Sequence, residues 1–175
     1  MSDGGIHYED PFVTPPERRE PWRRLRGRLA APVTIWTSGG PEAPAGLTIS
    51  SLLIADGKPP VVLGLMNDTT DLYASIKETG TYVVHVTSQD QRVLADRFAG
   101  LRPSPGGIFS GLEVEASEWG PALAEFPNRA SCRLVEEHAA GYQRLVTGAL
   151  ERIELDDLSA PLVYFRGRYR SLAGP

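Results

Sequence analysis

Apolar and β-branched residues occur mostly in short runs divided by turn residues, and this pattern predicts a series of short strands. The run Pro-Val-Thr-Ile-Trp-Thr at 32–37 ends at Gly39-Gly40-Pro41, and a second extended run covers 46–54. Residues 60–66 are apolar without alternation, which predicts a strand buried on both faces. Further strands are predicted at 81–87, 112–116, 131–139, 144–153 and 162–165.

Two segments have helical spacing instead. Thr70 or Asp71 can cap a short helix that stops at Gly80. A second helix, capped by Ser88, is predicted from about 89 to 98, with Val93, Leu94 and Phe98 on its inner side. Helices inserted among many short strands favour a closed, mostly antiparallel barrel over a βαβ sheet.

The start of the chain has a different character. Residues 1–24 are rich in proline and charge and lack a sustained period, which predicts an extended N-terminal arm that gains order only by docking. Residues 25–175 are predicted to form one domain, because a chain of 175 residues suits a single sizeable core. Residues 101–111, with three glycines and two prolines, are predicted to form a mobile loop.

Composition narrows the class of protein. The chain is 41% hydrophobic and 23% charged, and no apolar run approaches the roughly 20 residues that span a bilayer, so no membrane association is expected. The start lacks a secretory signal, and the lone Cys132 fits a core position in a reducing compartment, so we expect a cytoplasmic protein. The net charge of -4 disfavours nucleic acid as a partner, although six arginines between 18 and 28 make one basic stretch.

Several common sites are disfavoured by the motifs. There is no Walker loop and no dinucleotide-binding glycine pattern, and the three histidines form no metal-binding motif, so no metal site is expected. His85 lies in an apolar strand and is expected in the core. The adjacent Glu136 and Glu137 would face opposite sides of a strand, which predicts solvated side chains rather than a catalytic pair.

A cluster of hydroxyl groups is the main candidate for binding chemistry. Its members and the polar residues after the next strand are Thr48, Ser50, Ser51, Asn67, Thr69 and Thr70. Such groups, with the free N–H groups of a helix start at Thr70, can bind a phosphate. These residues can also be capping and turn residues, and from the residues alone that interpretation is preferred. Trp36 is the tryptophan best placed to stack on an aromatic ligand, although a strand tryptophan usually packs in a core.

Taken in order, these segments resemble the flavin reductase-like, FMN-binding family from about 29 to 172. The resemblance is carried by Pro-Val-Thr-Ile-Trp-Thr at 32–37, Gly-Leu-Thr-Ile-Ser-Ser at 46–51, Pro-Pro-Val-Val-Leu-Gly-Leu-Met-Asn at 59–67, Ile-Lys-Glu-Thr-Gly at 76–80, Val-Val-His-Val at 83–86 and Leu-Ala-Asp-Arg-Phe-Ala-Gly at 94–100. It implies a mainly β protein, a split β-barrel of antiparallel, Greek-key type with two or three short helices. It also implies a homodimer that binds FMN near the subunit interface, with FAD as the alternative flavin.

The resemblance assigns the cofactor contacts to named positions. They are Trp36, Thr48, Ile49, Ser50, Ser51, Asn67, Thr69, Thr70, Arg97, Phe98, Ala99 and Gly100. Arg97 would give the flavin phosphate a forked, charge-assisted contact, or would be an ordinary solvated helix arginine.

The implied reaction is hydride transfer from NADH or NADPH to the flavin, with reduced flavin released to a partner monooxygenase. Many family members carry Gly-Asp-His beside the nicotinamide, whereas this chain reads Gly141-Tyr142-Gln143-Arg144. Gln143 cannot titrate as a histidine does. Three residues therefore remain candidates for that side of the site, namely His138, Tyr142 and Gln143.

Because the chain lacks the Gly-Asp-His pattern, other functions stay open. The first is an FMN-binding redox or carrier protein with little direct activity toward NAD(P)H. A less favoured one is an oxidase of the pyridoxamine phosphate type or a deazaflavin user, because both employ a split barrel.

Overall fold

The computed structural model describes residues 20–172, and in this range the chain is mainly β with three short helices. The helices are α1 (Pro21–Arg26), α2 (Asp71–Thr79) and α3 (Arg92–Phe98). The strands are β1 (Ala31–Pro32), β2 (Thr34–Ser38), β3 (Ala45–Ile49), β4 (Leu52–Ala55), β5 (Val61–Met66), β6 (Thr81–Val86), β7 (Val114–Ser117), β8 (Gly120–Leu123), β9 (Arg129–Ala140), β10 (Gln143–Glu154), β11 (Leu162–Phe165) and β12 (Arg168–Ser171). No helix within residues 20–172 is long and apolar enough to cross a membrane.

Seven strands form one antiparallel sheet in the order β3-β2-β6-β9-β10-β5-β4. Its edge strands, β3 and β4, follow each other in the chain and are separated only by Ser50 and Ser51. The three Cα steps from Ile49 to Leu52 cover at most about 11 Å, so the two edges of the sheet lie close together. The sheet must therefore curl into a barrel that is split between β3 and β4, and the predicted split β-barrel is confirmed. We call Ser50–Ser51 the seam.

The predicted strand at 46–54 is thus two strands, each paired with a different neighbour. β3 pairs with β2, and β4 pairs with β5. The chain changes partner at the seam, where Ser51 exchanges hydrogen bonds with Leu65 of β5. Leu65 N donates to Ser51 O at 3.0 Å, and Ser51 Oγ donates to Leu65 O at 3.0 Å.

The barrel interior is built around two stacked aromatic rings. Trp36 and Tyr82 lie 4.9 Å apart between ring centroids, with an interplanar angle of 11°. Glycines make room for both rings, because a Cβ at Gly64 would lie 2.5 Å from Trp36 and a Cβ at Gly148 would lie 2.0 Å from the Tyr82 hydroxyl. Cys132 belongs to the same core, as predicted.

Trp36 has no exposed surface, and its Nε1 donates to Thr34 Oγ1 at 3.1 Å. The prediction that Trp36 stacks on a ligand is therefore wrong, because the side chain is committed to the core on every side.

The helix α2 matches its prediction. Thr70 caps it, since Thr70 Oγ1 accepts a hydrogen bond from Tyr73 N, and Gly80 ends it with a φ of 72°. Leu72 and Ile76 of this helix belong to the barrel core. In α3, preceded by a 3₁₀ turn, Leu94 and Phe98 face inward as predicted, but Val93 is 51% exposed and Ala95 is buried in its place.

Burial of the strands differs from the prediction at two places. β5 alternates between buried and half-buried residues and is not enclosed on both faces. The strands buried on both faces are β2 and, except at its last residue, β6. β2 is covered by the barrel core on one side and by Leu94, Phe98, Leu123 and Phe126 on the side of Ile35. β5 lies next to an edge strand, and no element of residues 20–172 covers its outer face fully.

The N-terminal side of the described chain is helical where an extended arm was expected. Residues 21–24 lie in α1, whose first residue is Pro21, and a proline is well accommodated in a first helical turn. No residue of α1 is buried. Residues 1–19 of the predicted arm lie outside the described residues. A second sheet, in the order β1-β11-β12, follows α1 and packs Leu162 and Tyr169 against Val33 and Ala95.

His85 lies in the core, as predicted, and its ring links three elements. Leu123 N donates to Nε2 at 3.0 Å, so Nδ1 carries the proton and donates to Ile35 O at 3.0 Å. Burial, together with the nearby charge of Arg129, lowers the pKa of His85 from 6.5 to about 4, although the hydrogen bond to Ile35 opposes this shift. The ring is therefore neutral in the folded protein at neutral pH.

This neutral ring predicts a loss of stability in mild acid. Between pH 6.5 and about 4 the unfolded chain binds a proton at His85 that the folded chain does not bind. The free energy of unfolding should therefore fall with decreasing pH by up to about 1.4 kcal/mol per unit from this group. Urea unfolding of the wild type and of His85→Gln across this range measures it. Equal pH slopes for the two proteins would contradict the assignment.

Candidate functional site

A cleft of about 330 Å³ lies between the start of α2 and the end of α3. Its lining residues are Gly46, Leu47, Thr69, Thr70, Asp71, Leu72, Arg97, Phe98, Ala99, Gly100 and Ile108. Six residues that were singled out from the sequence meet here, although they come from two separate segments: Thr69, Thr70, Arg97, Phe98, Ala99 and Gly100.

The start of α2 forms one wall of the cleft. Thr70 Oγ1 donates to Asn67 O at 2.8 Å and accepts from Tyr73 N at 3.3 Å, so this hydroxyl holds the turn and the helix together. Asp71 and Leu72 follow it in the wall, and the first N–H groups of a helix lack intrahelical acceptors. The wall therefore offers backbone donors and the positive end of a helix dipole.

The end of α3 forms the opposite wall. Arg97 Nη1 donates to Ser110 O at 3.0 Å, which ties the loop after α3 to the helix and leaves four of the five guanidinium N–H groups for other partners. Arg97 and Asp71 are the two charged residues in the lining, so the attraction of the cleft for an anion depends on Arg97.

Phe98 shapes the cleft without exposing its ring. The ring is 2% exposed, meets Phe109 edge to face at 5.2 Å, and covers Gly46, where a Cβ would lie 2.5 Å from Phe98 Cε1. The floor at Gly46 and the wall after Phe98 are therefore lined largely by backbone, which lets a flat ligand approach closely.

A second group of predicted site residues lies outside this cleft, at the seam. Thr48 Oγ1 donates to Ala95 O at 2.7 Å, so its proton ties β3 to α3 and is not free for a phosphate. The Ile49 side chain is 3% exposed and belongs to the core. Ser50 is half-buried and Ser51 is exposed. Asn67 follows β5 and begins the turn that ends at Thr70, so this turn joins the seam to the cleft.

The β9–β10 hairpin holds the remaining candidates. Its two-residue turn is Gly141-Tyr142, with Gly141 at a φ of 62°, as a type II′ turn requires. Tyr142 is 97% exposed at the tip of the hairpin. His138 is exposed and lies opposite Leu145, while Gln143 is half-buried.

A charged cluster beside this hairpin was missed from the sequence. The Glu137 side chain is only 13% exposed, accepts from Lys77 Nζ of α2 at 3.0 Å, and receives a forked contact from Arg144. Lys77 and Arg144 hold the pKa of the Glu137 carboxyl at about 2. The prediction of a solvated Glu137 is wrong, because Glu137 pairs across the ladder with the buried Val146 and so faces the barrel side of β9.

Within residues 20–172 no group of three or more His, Cys, Asp and Glu side chains could hold a metal ion. The lining of the cleft offers backbone groups, the Arg97 guanidinium and polar side chains for binding.

The model of the flavin reductase-like domain family matches residues 26–173. The chain belongs to the flavin reductase-like family. One similar protein is FMN reductase (NADH) RutF 1 of Methylorubrum extorquens. It is 29% identical over 151 residues, which cover 86% of this chain and 75% of the relative. Another is the reductase component of 4-nitrophenol 4-monooxygenase/4-nitrocatechol 2-monooxygenase of Rhodococcus opacus, 30% identical over 165 residues that cover 92% of this chain and 86% of the relative.

A solved structure gives the same fold. Flavin reductase PheA2 in its native state superposes with a TM-score of 0.78 at 28% identity, covering 87% of this chain and 96% of that chain. The flavin reductase-like domain thus spans nearly all of the described residues.

Proposed function

We propose that the protein transfers hydride from NADH or NADPH to a flavin, FMN or FAD, and that the reduced flavin serves a separate monooxygenase. The observation that carries the proposal is the cleft between α2 and α3, lined by both Arg97 and a helix start, in a member of the flavin reductase-like family. Relatives named as an FMN reductase (NADH) and as the reductase component of a monooxygenase support it.

The phosphate end of the flavin is assigned to the cleft. A phosphate ester is an anion with several acceptor oxygens, and the helix start at Thr70 to Leu72 supplies backbone donors for it. Arg97 supplies the balancing charge and a forked contact. Thr69, Ala99 and Gly100 complete the lining on either side.

The ring end of the flavin is assigned to the seam. β3 and β4 are edge strands, so their outer backbone N–H and C=O groups are available to a ligand. Ile49, Ser50 and Ser51 would act mainly through this backbone, because Ile49 is buried and the Ser51 hydroxyl is bonded to Leu65. Asn67 lies where the seam meets the cleft and is exposed for a side-chain contact.

When bound, the flavin accepts the hydride, so the protein needs only to align the two rings and exclude water. We assign the nicotinamide side to the β9–β10 hairpin, with Tyr142 free to cover a ring and Gln143 able to donate and accept a hydrogen bond. Gln143 does not titrate near neutral pH, and exposed His138 is the remaining candidate for a proton transfer on this side.

The second candidate function is an FMN-binding redox or carrier protein. The observation that favours it is the hairpin sequence Gly141-Tyr142-Gln143, which lacks the Asp and His of the family pattern. In that case the cleft binds flavin and the electrons come from another protein instead of from a nicotinamide.

We further propose a homodimer, formed through the outer face of β4, β5 and β10. Four leucines share this face, because Leu53 lies opposite Leu63, and Leu65 lies opposite Leu145. Leu53 is 73% exposed, and an apolar patch of this kind commonly marks an interface. The buried thiol of Cys132 is compatible with the cytoplasmic location that we also propose.

Flavin binding should depend on Arg97. The change Arg97→Ala removes a charge-assisted contact of about 1.5–3 kcal/mol, so the dissociation constant for FMN should rise about 10- to 100-fold. Ser50→Ala with Ser51→Ala should weaken FMN retention less, because the backbone contacts remain. Calorimetric titration measures both, with Arg102→Ala, an exposed arginine outside the cleft, as the control. An unchanged constant in Arg97→Ala would remove the phosphate assignment.

Reductase activity should be visible with free flavin. Purified protein with FMN or FAD should oxidise NADH or NADPH at a rate typical of enzymes, about 1–1,000 per second, followed by the loss of nicotinamide absorbance. Tight FMN binding without turnover would favour the carrier function instead.

Dimerisation should depend on the leucine patch. Leu53→Asp places a charge in the apolar face and should convert the dimer to a monomer, measured by size-exclusion chromatography with light scattering. Leu155→Asp is the matched control, since Leu155 is 79% exposed and lies in the loop after β10. A dimer that persists in Leu53→Asp argues against this interface.

A further inference from the structure

Two neighbouring segments hold seven of the chain's 18 Lys and Arg residues and none of its 22 Asp and Glu residues. They are 21–30, which contains α1, and 162–172, which forms the β11–β12 hairpin. The segments touch, because Arg166 N donates to Gly27 O at 3.1 Å and Ala31 pairs with Tyr164. A chain with a net charge of -4 therefore concentrates positive charge on one part of its surface.

The arginines of these segments differ from most arginines elsewhere in residues 20–172, where only Arg92 and Arg97 also lack a carboxylate partner among those residues. Seven exposed ones, which we call the arginine face, form no ion pair with any of residues 20–172: Arg23, Arg24, Arg26, Arg28, Arg166, Arg168 and Arg170. Arg102, Arg129, Arg133, Arg144 and Arg152 each contact a carboxylate. Within residues 20–172, no carboxylate is paired with the arginine face to neutralise its charge.

Exposed apolar groups accompany the charge. Trp22 is 51% exposed, and the Arg23 guanidinium lies 4.9 Å from the centroid of its ring. Leu25 and Leu29 are 62% and 64% exposed. Arginine and tryptophan are enriched at the energetic centres of protein interfaces, and apolar side chains add little to binding a bare phosphate backbone. The composition favours a protein partner with an acidic surface.

The arginine face lies one short helix away from the cleft. Arg92, the first residue of α3, has its guanidinium 5.6 Å from the Tyr169 ring of β12. The other end of α3 carries Arg97 and Phe98, which line the cleft. Seven helical residues span about 10 Å, so a partner on the arginine face would have its surface close to the cleft.

We propose that the arginine face docks an acidic surface of the monooxygenase that takes up the reduced flavin. The identity of the partner rests on the proposed function, whereas the preference for an acidic protein surface rests on the charges and apolar groups described above. Exposed charges of this kind act mainly on the rate and salt dependence of association.

The test uses the triple variant Arg166→Gln, Arg168→Gln and Arg170→Gln, with Lys58→Gln plus Arg152→Gln as a control for lost positive charge elsewhere. Fluorescence anisotropy follows a labelled peptide made mostly of Glu and Asp with two Leu residues. A labelled DNA duplex and phosphatidylserine vesicles are compared with it. The wild type should bind the peptide at low salt and should bind it more tightly than the duplex or the vesicles. Affinity should fall at least tenfold in the triple variant and at high salt, but not in the control.

Unchanged peptide binding in the triple variant overturns the proposal. Tighter binding of the duplex or vesicles overturns the protein assignment, and a changed oligomeric mass in the triple variant shows an interface between copies instead. NADH oxidation with free FMN, measured on the same preparations, distinguishes a failure of the docking proposal from a failure of the proposed reductase function. Retained turnover with lost peptide binding supports docking outside the cleft. Absent turnover in the wild type, with peptide binding intact, overturns the proposed function and the monooxygenase as the occupant.

Discussion

The barrel depends on one constraint, the two-residue connection between the edge strands of its main sheet. β3 and β4 lie at opposite ends of the strand order, yet only Ser50 and Ser51 separate them, so the sheet has to close on itself. Closure encloses the stacked rings of Trp36 and Tyr82, which fit because Gly64 and Gly148 lack side chains. It also leaves two strand edges facing each other without pairing, at the place where we assign the flavin ring.

Local sequence patterns predicted where helices and strands form better than they predicted which other elements cover or pair with them. The helix from Asp71 was found because its cap at Thr70 and its stop at Gly80 are neighbours in sequence. The break between β3 and β4 within 46–54 was not predicted. The chain stays extended there, and only the change of pairing partner from β2 to β5 divides the run into two strands. Burial of β5 was overestimated for a similar reason: an apolar run shows what a strand can bury, whereas coverage depends on elements distant in the chain.

At the candidate site, too, the sequence predicted which residues belong to the site better than it predicted their contacts. The resemblance brought Thr69, Thr70 and Arg97 together, and the structure places them in one cleft. The roles of Thr48 and Ser51 could not be read from the sequence, because their hydroxyl partners, Ala95 and Leu65, are far along the chain. Glu137 was expected in solvent because adjacent strand residues face opposite sides and cannot act as a pair. Its partners Lys77, on α2, and Arg144, on β10, are brought to it only by the folding of the barrel.

The bond from Thr48 to Ala95 has a thermodynamic consequence. It joins β3, which ends at the seam, to α3, which ends in the cleft, so a displacement of β3 or of α3 also moves the other. A ligand that spans both would bind the closed barrel and not the unfolded chain, and its binding free energy would add to the resistance of the fold to heat. Ligand binding and folding of the barrel are then linked equilibria, so the thermal stability of the protein rises with the occupancy of the site.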